Sequence, residues 1–375
     1  MVIAGKLQQQ IGPRPVAILG GILLGAGYIG AGLFGDDFFT QLICIGVIGG
    51  IGIGLAYVVP IAVGVKWFPD KKGMITGLAV AGFGFGATIW VKIAGSWFGG
   101  LLNLLQFFNL TGVQSVFFLY GFLFLLLVLL GSLVMINPPE NYKMEGFSKP
   151  VNIPVRDSES VEFTSGEMLR SPRFYQLWLV FIFSALSGLM VIYCIRLFGI
   201  DTLSYHGVPQ AGIVAGTAMA WYAIFNGLGR ILWGIISDHI GRRPAIITMT
   251  LCQAAAMLLI YHGFILFVTS TGLIIAASII GFNFGGNFAL FPAATADYFG
   301  NKNVGSNYGW MFTAYGVAGI AGPQIAGYFK DSAMDSGAPS IWMVPFIIAG
   351  ISCLIGTLIM LPNKQTKTLL IVKEG

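Results

Sequence analysis

Long apolar runs, separated by short polar segments, dominate the pattern along the chain. A helix that crosses a bilayer needs about 20 apolar residues. Ten runs of that kind can be read, over residues 15–34, 41–65, 74–97, 116–136, 174–198, 211–236, 245–266, 272–295, 307–329 and 341–361. The pattern predicts an all-α membrane protein with ten full transmembrane helices. The uncharged stretch 98–113 is expected to lie along the outer membrane interface.

Composition indicates the same surroundings. Charged residues make up 9% of the chain and hydrophobic residues 56%, and mean hydropathy is +0.83. A soluble domain carries about 25% charged residues. The net charge of +5 does not point to nucleic acid, because the basic residues lie at the ends of the apolar runs, where membrane topology explains them. We therefore expect the lipid bilayer as a partner and no nucleic acid.

The chain contains two copies of one helical unit. Gly5–Pro15 returns as Gly234–Pro244, and Phe68–Lys71 returns as Phe299–Lys302. Both members of the first pair read G-x-[LI]-x-x-x-I-G-x-R-P. The second copy has about sixty residues before its motif, enough for two membrane helices. The first copy has four. On this arithmetic we expect an N-terminally truncated repeat, with ten full helices plus the end of the second.

The Lys and Arg positions predict the topology. Sixteen of the twenty lie on one side of the predicted spans. Cytoplasmic loops are rich in Lys and Arg, so we expect the motif loops and the C-terminus to lie in the cytoplasm. The expected location is the cell (inner) membrane, as a multi-pass protein. The predicted organisation is an incomplete N-terminal half-bundle (1–136), a cytoplasmic linker (137–173) and a C-terminal six-helix half-bundle (174–375).

Glycine is unusually frequent, with 53 residues. Gly21 with Gly25, and Gly82 with Gly86, are four residues apart, so each pair lies on one helical face. Small residues let membrane helices approach closely. The run Gly82-Phe-Gly84-Phe-Gly86 also resembles a dinucleotide-binding loop, but no βαβ pattern surrounds it. Helix packing is the favoured interpretation.

Arg230 is the ionisable side chain that lies deepest in a predicted span. A membrane-embedded arginine costs at least ~2.5–3.5 kcal/mol, and no Asp or Glu is predicted at its depth. An unpaired guanidinium that faces the bundle interior is suited to binding an anion. The alternative is a structural arginine satisfied by backbone carbonyls. Asn226 lies four residues earlier, on the same helical face, and is expected to hold the guanidinium or to donate to the anion.

Two tyrosines are candidates for further donors. Tyr57 and Tyr315 lie at a depth similar to that of Arg230, counted from their predicted cytoplasmic ends, and buried tyrosine hydroxyls usually find a polar partner. Phe284, Asn287 and Phe288 are interpreted as core. No nucleophilic arrangement of Ser, His, Asp or Cys, and no metal-ligand spacing, can be read. We therefore expect neither an enzyme nor a cofactor.

The motif loops resemble the signature of the major facilitator superfamily. Four further stretches resemble its oxalate/formate antiporter family, which is related to the monocarboxylate transporters: Trp67–Gly73, Asn137–Tyr142, Gly281–Asn287 and Asn303–Gly309. The resemblance implies two pseudo-symmetric half-bundles that move small carboxylates by alternating access. It also implies a cavity role for Tyr57, Asn226 and Arg230.

The resemblance implies an inner gate as well, closed by charge contacts between the motif loops. The candidate gating residues are Asp238, Arg242, Arg243 and Arg14. The first copy has Gln9 where the second has Asp238, so only one copy keeps an acid. For Arg14 the alternative is a charge that serves topology alone.

These features lead to an expected substrate and coupling mode. The resemblance implies a lysine on the eleventh helix of oxalate carriers, where this chain has Tyr315. It implies an aspartate four residues before the arginine in animal monocarboxylate transporters, where this chain has Asn226. We therefore expect a monomeric carrier of small monocarboxylates such as formate, lactate or pyruvate, working by exchange or uniport. The alternatives are a proton-coupled monocarboxylate symporter and a non-transporting fragment or membrane sensor.

Overall fold

The computed structural model describes residues 1–107, 110–139, 162–266, 269–336 and 339–362. For Thr111, 260–266, 333–336 and Pro339 it describes the backbone alone. Most of the predicted linker, residues 140–161, lies outside the described residues, and so does the C-terminal segment 363–375.

The described chain is almost entirely helical, as the apolar pattern predicts. The helices are α1 (Val2–Ile11), α2 (Pro13–Phe34), α3 (Phe38–Trp67), α4 (Lys72–Gly95), α5 (Leu101–Leu104), α6 (Val113–Ser132), α7 (Ser165–Arg170), α8 (Pro172–Tyr205), α9 (Ala211–Ile240), α10 (Arg242–Leu266), α11 (Ser270–Phe299), α12 (Val304–Met311), α13 (Thr313–Ser336) and α14 (Met343–Met360). Within α3 the segment Leu42–Gly49 is π-helical. The predicted span 307–329 is divided, because α12 ends at Met311 and α13 begins at Thr313.

Eight helical segments of the described chain are long and apolar enough to cross a membrane: α2, α3, α4, α6, α8, α9, α11 and the segment Ser340–Met360. The two other predicted spans coincide with the long helices α10 and α13. The all-α membrane fold is thereby confirmed, and the number of spans stays a prediction. The location of the stretch 98–113 along the outer membrane interface stays a prediction. The stretch holds the short helix α5 and a two-stranded ribbon, Gln106–Phe107 with Leu110–Thr111.

The repeated motif folds in the same way in both copies. Each motif ends one helix at a glycine with positive φ, at 86° for Gly12 and 91° for Gly241. The amide of Gly12 donates to the Gln8 carbonyl and that of Gly241 to the Ser237 carbonyl. Glycine adopts positive φ without the strain of a side chain. The turn therefore reverses the chain between α1 and α2, and again between α9 and α10.

Close helix contacts hold each half together. In the N-terminal half, a Cβ at Gly21 would lie 2.8 Å from Val128, and one at Gly25 would lie 2.7 Å from Leu125, so α2 and α6 meet through this pair of glycines. In the C-terminal half, α9 and α11 approach so closely that a Cβ at Gly281 or Gly285 would overlap the backbone of α9. Larger side chains would push these helices apart.

The two halves meet along α4 and α9. A Cβ at Gly73, Gly77 or Gly84 would overlap the backbone of α9, so these three glycines set the approach of the halves. Gly82 has open space at its Cβ position, and Gly86 has only Trp90 nearby, at 3.7 Å or more. The predicted packing role of the Gly82 and Gly86 pair is therefore wrong, because that face of α4 does not contact a neighbouring helix closely.

A second contact between the halves joins α1 to α12. A Cβ at Gly5 would overlap the backbone of Gly305, and one at Gly309 would lie 2.8 Å from the Met1 carbonyl oxygen. Gln9 Nε2 donates to Asn303 Oδ1 at 3.0 Å. The contacts between α1 and α12 lie at the end of the bundle that carries the motif loops, which is the predicted cytoplasmic side. We call this end the inner end. The halves touch there.

Candidate functional site

Arg230 lies on α9 at the boundary between the two halves and is only 6% exposed. Its Nε donates to Asn226 Oδ1 at 3.1 Å, across one helical turn. Its Nη1 donates to the backbone carbonyl of Val80, on α4 of the other half, at 2.7 Å. The predicted pairing with Asn226 is thus present. The carbonyl contact is of the kind foreseen for a structural arginine.

Aromatic rings cover the guanidinium. Its Cζ lies 4.1 Å from the ring centre of Phe288 and 6.0 Å from that of Phe83. A cation over a ring face is attracted by the ring's quadrupole, at about 2 kcal/mol when the pair is desolvated. Phe288 therefore contacts the candidate site directly, although sequence analysis interpreted it as core.

The two predicted tyrosines lie in the same aromatic group. The ring of Tyr57 lies 4.9 Å from Phe83 and 5.4 Å from Phe312. The ring of Tyr315 lies 5.0 Å from Phe312 and 5.3 Å from Phe288. The rings of both halves thus form a continuous aromatic row from Phe83 to Phe288, and both end rings face Arg230. The structure brings Arg230, Asn226, Tyr57 and Tyr315 together.

Part of the guanidinium has no partner. Among the described residues, Nη2 donates no hydrogen bond, and no carboxylate pairs with Arg230. The charged groups or phenols within electrostatic reach are those of Tyr57, Tyr315, Tyr308 and Tyr222. A cation neutralised by no acid, with phenol donors nearby, has the chemistry that binds an anion.

Tyr308 is a buried polar residue on the inner side of the candidate site that sequence analysis missed. It is fully buried on α12, and its ring lies 5.6 Å from Phe312. The signal was present in the spacing, because Tyr308, Phe312 and Tyr315 follow one another at four and then three residues, which places them on one helical face. The short helix α12 then brings Tyr308 to the inner side of the aromatic row, against Phe312.

Asp238 is the residue that joins the motif loop of one half to the other half. Its Oδ1 accepts from the Gly73 amide at 2.9 Å and its Oδ2 from the Met74 amide at 2.8 Å. These amides belong to the first turn of α4, where a carboxylate satisfies free N–H groups and the helix dipole. Arg242 Nη1 pairs with Asp238 Oδ1 at 2.7 Å and orients it.

Two charged residues that sequence analysis did not single out extend this contact. Asp297, near the end of α11, accepts from Arg242 Nε at 2.6 Å and pairs with Lys72 Nζ of the other half at 2.8 Å. The repeat held a signal for Asp297, since its counterpart in the first copy, 231 residues earlier, is also charged: Lys66. Lys72, Asp238, Arg242 and Asp297 together form what we call the inner latch.

The other two predicted gating residues lie within their own halves. Arg14 Nη2 donates to the Leu133 carbonyl at 2.5 Å, and Arg243 Nη2 donates to the Leu361 carbonyl. These contacts are repeat counterparts, each tying a motif loop to the end of the last helix of its own half. Among the described residues neither arginine bonds a residue of the other half. Of the four predicted gating residues only Asp238 hydrogen-bonds across the contact, and the gating roles stay a prediction.

Within the described part of the chain, no group of three or more His, Cys, Asp or Glu side chains is placed to hold a metal ion. The four cysteines are free, with Cys252 exposed on α10 and the other three buried. The arrangement around Arg230 is therefore the candidate site, with a guanidinium between the halves that no described acid neutralises.

Comparison with known proteins defines the class. The family model of the Major Facilitator Superfamily matches residues 1–217 and 204–373, so the chain belongs to that superfamily. It is 29% identical over 324 residues to the uncharacterized MFS-type transporter YhjX of Escherichia coli (strain K12), covering 85% of this chain and 72% of that protein. It is 28% identical over 358 residues to the oxalate:formate antiporter of Oxalobacter formigenes, covering 94% of this chain and 75% of that protein.

The fold is that of solved transporters of this superfamily. The crystal structure of the transporter FucP in the outward conformation matches with a TM-score of 0.64 and 14% identity, over 96% of this chain and 85% of that chain. The resemblance read from the motif loops is confirmed by these matches. The named relatives and this structural neighbour are transporters rather than enzymes.

The inner latch leads to a prediction about opening of the inner end. Asp238→Ala removes two hydrogen bonds to a charged group, each worth about 1.5–3 kcal/mol, and should open the inner end more often. A cysteine placed at Ala62, which is 1% exposed and packs against Gly305 of the other half at the inner end, should then react at least roughly tenfold faster with a water-soluble thiol reagent. The background for this test replaces the four native cysteines.

Arg243→Ala is the matched control. It removes a motif-loop cation of the same copy whose described contacts stay within one half, so labelling of the Ala62→Cys position should not change. Equal labelling rates in the Asp238→Ala and Arg243→Ala proteins would show that the inner latch does not hold the halves together.

Proposed function

We propose that this protein is a secondary transporter that moves small organic monocarboxylates across the membrane by alternating access, as an exchanger or a uniporter. The observation that carries the proposal is the buried guanidinium of Arg230, which lies between the halves and pairs with no acid of the described residues. Membership of the superfamily and the similarity to an oxalate:formate antiporter also support a transport function.

The surroundings of Arg230 favour an anion with a small apolar part. Asn226 holds Nε, and Val80 takes one N–H of Nη1, which leaves the Nη2 edge for a carboxylate. The remaining walls are aromatic rings from both halves, with phenol groups at Tyr57 and Tyr315. In such a low-dielectric site, charge-assisted hydrogen bonds are about twice as strong as neutral ones.

The same residue links binding to the movement of the halves. The bond from Arg230 Nη1 to the Val80 carbonyl crosses the contact between α9 and α4. Parting of the halves at this contact would break that bond and free a second N–H for the anion. A bound carboxylate would therefore offset the loss, whereas an unloaded site would leave the cation unpaired. This asymmetry favours exchange of one anion for another.

Replacement of Arg230 tests the proposal directly. Truncating one member of a buried charged pair costs about 2–5 kcal/mol, so Arg230→Ala should reduce exchange of labelled formate, lactate and pyruvate to the level of protein-free vesicles. The control is Arg196→Ala, which removes an exposed cation of α8 and should leave the rate within about twofold, as expected for a surface charge. Unchanged exchange in Arg230→Ala would contradict the proposal.

A second prediction concerns substrate charge. A dicarboxylate would need a second cation, and no Lys or Arg is among the groups that act electrostatically on Arg230. Unlabelled monocarboxylates should therefore inhibit exchange more strongly than oxalate at equal concentration. Tyr315→Lys supplies the cation beside the site and should raise inhibition by oxalate about tenfold or more. Stronger inhibition of the unaltered protein by oxalate than by any monocarboxylate would refute this.

The third prediction concerns the proton. Asn226 cannot titrate, so exchange by the unaltered protein should change little between pH 5.5 and 7.5. This range extends about one pH unit below and above the usual pKa of histidine. Asn226→Asp places a carboxylate 3.1 Å from Nε. Ionised, it would compete with the substrate for Arg230, and protonated it would not, so exchange by this variant should fall as pH rises.

The alternative of a proton-coupled symporter makes the opposite prediction. Vesicles that contain no exchangeable anion should accumulate little substrate when only a pH gradient is imposed. Strong uphill uptake under that gradient by the unaltered protein would favour the symporter and rule out pure exchange. Absence of flux for all the anions, in either mode, would favour a membrane sensor that does not transport.

A further inference from the structure

Three polar side chains at the inner contact between the halves are buried without a hydrogen bond of normal length and angle. Tyr57 is 5% exposed, Tyr308 0% and Gln8 5%. Among the described residues, the hydroxyl groups of both tyrosines and both amide atoms of Gln8 make no hydrogen bond. Leaving a buried polar group unpaired is unfavourable, so three such groups in one contact call for an explanation.

Tyr57 and Tyr308 lie nearer Arg230, and Gln8 lies nearer the inner end. The phenol groups of Tyr57 and Tyr308 interact weakly with each other and lie within electrostatic reach of Arg230, but no hydrogen bond of normal length and angle joins them. Toward the inner end, the Gln8 Oε1 lies 3.0 Å from the Cβ position of Gly305, and the Ala62 Cβ lies 3.4 Å from it. Gly305 is three residues before Tyr308, and Ala62 is five after Tyr57.

Both halves contribute to this set. Gln8 on α1 and Tyr57 on α3 belong to the N-terminal half, whereas Tyr308 on α12 belongs to the C-terminal half. Closure of the inner end removes all three from water. When the halves part at the inner end, their donors would face the opening. Phenylalanine and methionine would fill the same space in the closed state without an unpaired polar group.

We propose that Gln8, Tyr57 and Tyr308 form a second subsite for the transported anion, the gate subsite, which binds its carboxylate when the inner end is open. The inference rests on the proposed function and adds a binding position to it. The gate subsite offers two hydroxyl donors and one amide donor but no cation. Neutral donors bind a carboxylate more weakly than a guanidinium does, which suits a position through which the anion enters and leaves.

A gate subsite at one end has a consequence that Arg230 does not share. An anion that arrives from the outer side reaches Arg230 without passing Tyr308 or Gln8, whereas one from the inner side passes both. Loss of either donor should therefore weaken binding from the inner face alone. Loss of Arg230 should abolish transport from both faces.

The test compares the half-saturation concentration of labelled formate and pyruvate in inverted membrane vesicles, which present the inner face, and in right-side-out vesicles. Tyr308→Phe and Gln8→Met remove the donors and keep the volume. Each should raise the inner-face value about tenfold, the loss expected for one hydrogen bond to a charged group, and change the outer-face value less than about twofold. Both variants should keep the thermal unfolding temperature of the unaltered protein or exceed it.

Tyr222→Phe is the matched control, because this phenol also lies within electrostatic reach of Arg230 but donates to the Gly188 carbonyl within its own half. It should change neither face selectively. If the unaltered protein transports these anions while Tyr308→Phe and Gln8→Met affect both faces equally or neither, the gate subsite is refuted and the proposed function stands. If the unaltered protein transports neither anion from either face, the proposed function fails, and the gate subsite falls with it.

Discussion

A guanidinium buried in a membrane bundle must find partners, and the way Arg230 does so shapes this molecule. One N–H bonds Asn226 on the same helix and another bonds the Val80 carbonyl of the opposite half. The second bond requires α4 and α9 to touch, which Gly77 permits because it has no side chain to collide with the Arg230 carbonyl. The cation and the contact between the halves are therefore parts of one arrangement.

The repeat gives each half the same framework but not the same charges. Arg14 and Arg243 tie their loops to equivalent carbonyls, of Leu133 and Leu361. Gln9 and Asp238 occupy equivalent positions in the two copies but make different contacts. Gln9 makes a neutral hydrogen bond to Asn303, whereas Asp238 accepts from backbone amides of α4 and pairs with Arg242. Charge-assisted hydrogen bonds are the stronger kind, so the two copies contribute unequally to closure of the inner end.

The energetic logic of the proposed carrier follows from which groups lose partners as the halves part. At the inner latch, ion pairs and the hydrogen bonds from backbone amides to Asp238 would be lost. Around Tyr308 and Gln8, groups that are unpaired in the closed state would gain partners. The first set opposes opening and the second favours it. A conformational change between two populated states needs such a near balance.

The sequence by itself determined the membrane class, the repeat, and the position of Asn226 one helical turn before Arg230 on the same face. These features depend on composition or on neighbours one helical turn apart, and both are visible in one dimension. The tertiary structure decided that Val80 and Phe288 contact the arginine, that Asp297 meets Lys72, and that Gly77 rather than Gly82 faces α9. In a span that is apolar on every side, periodicity does not reveal which face meets another helix and which meets lipid. Contacts between distant helices were therefore decided only by packing.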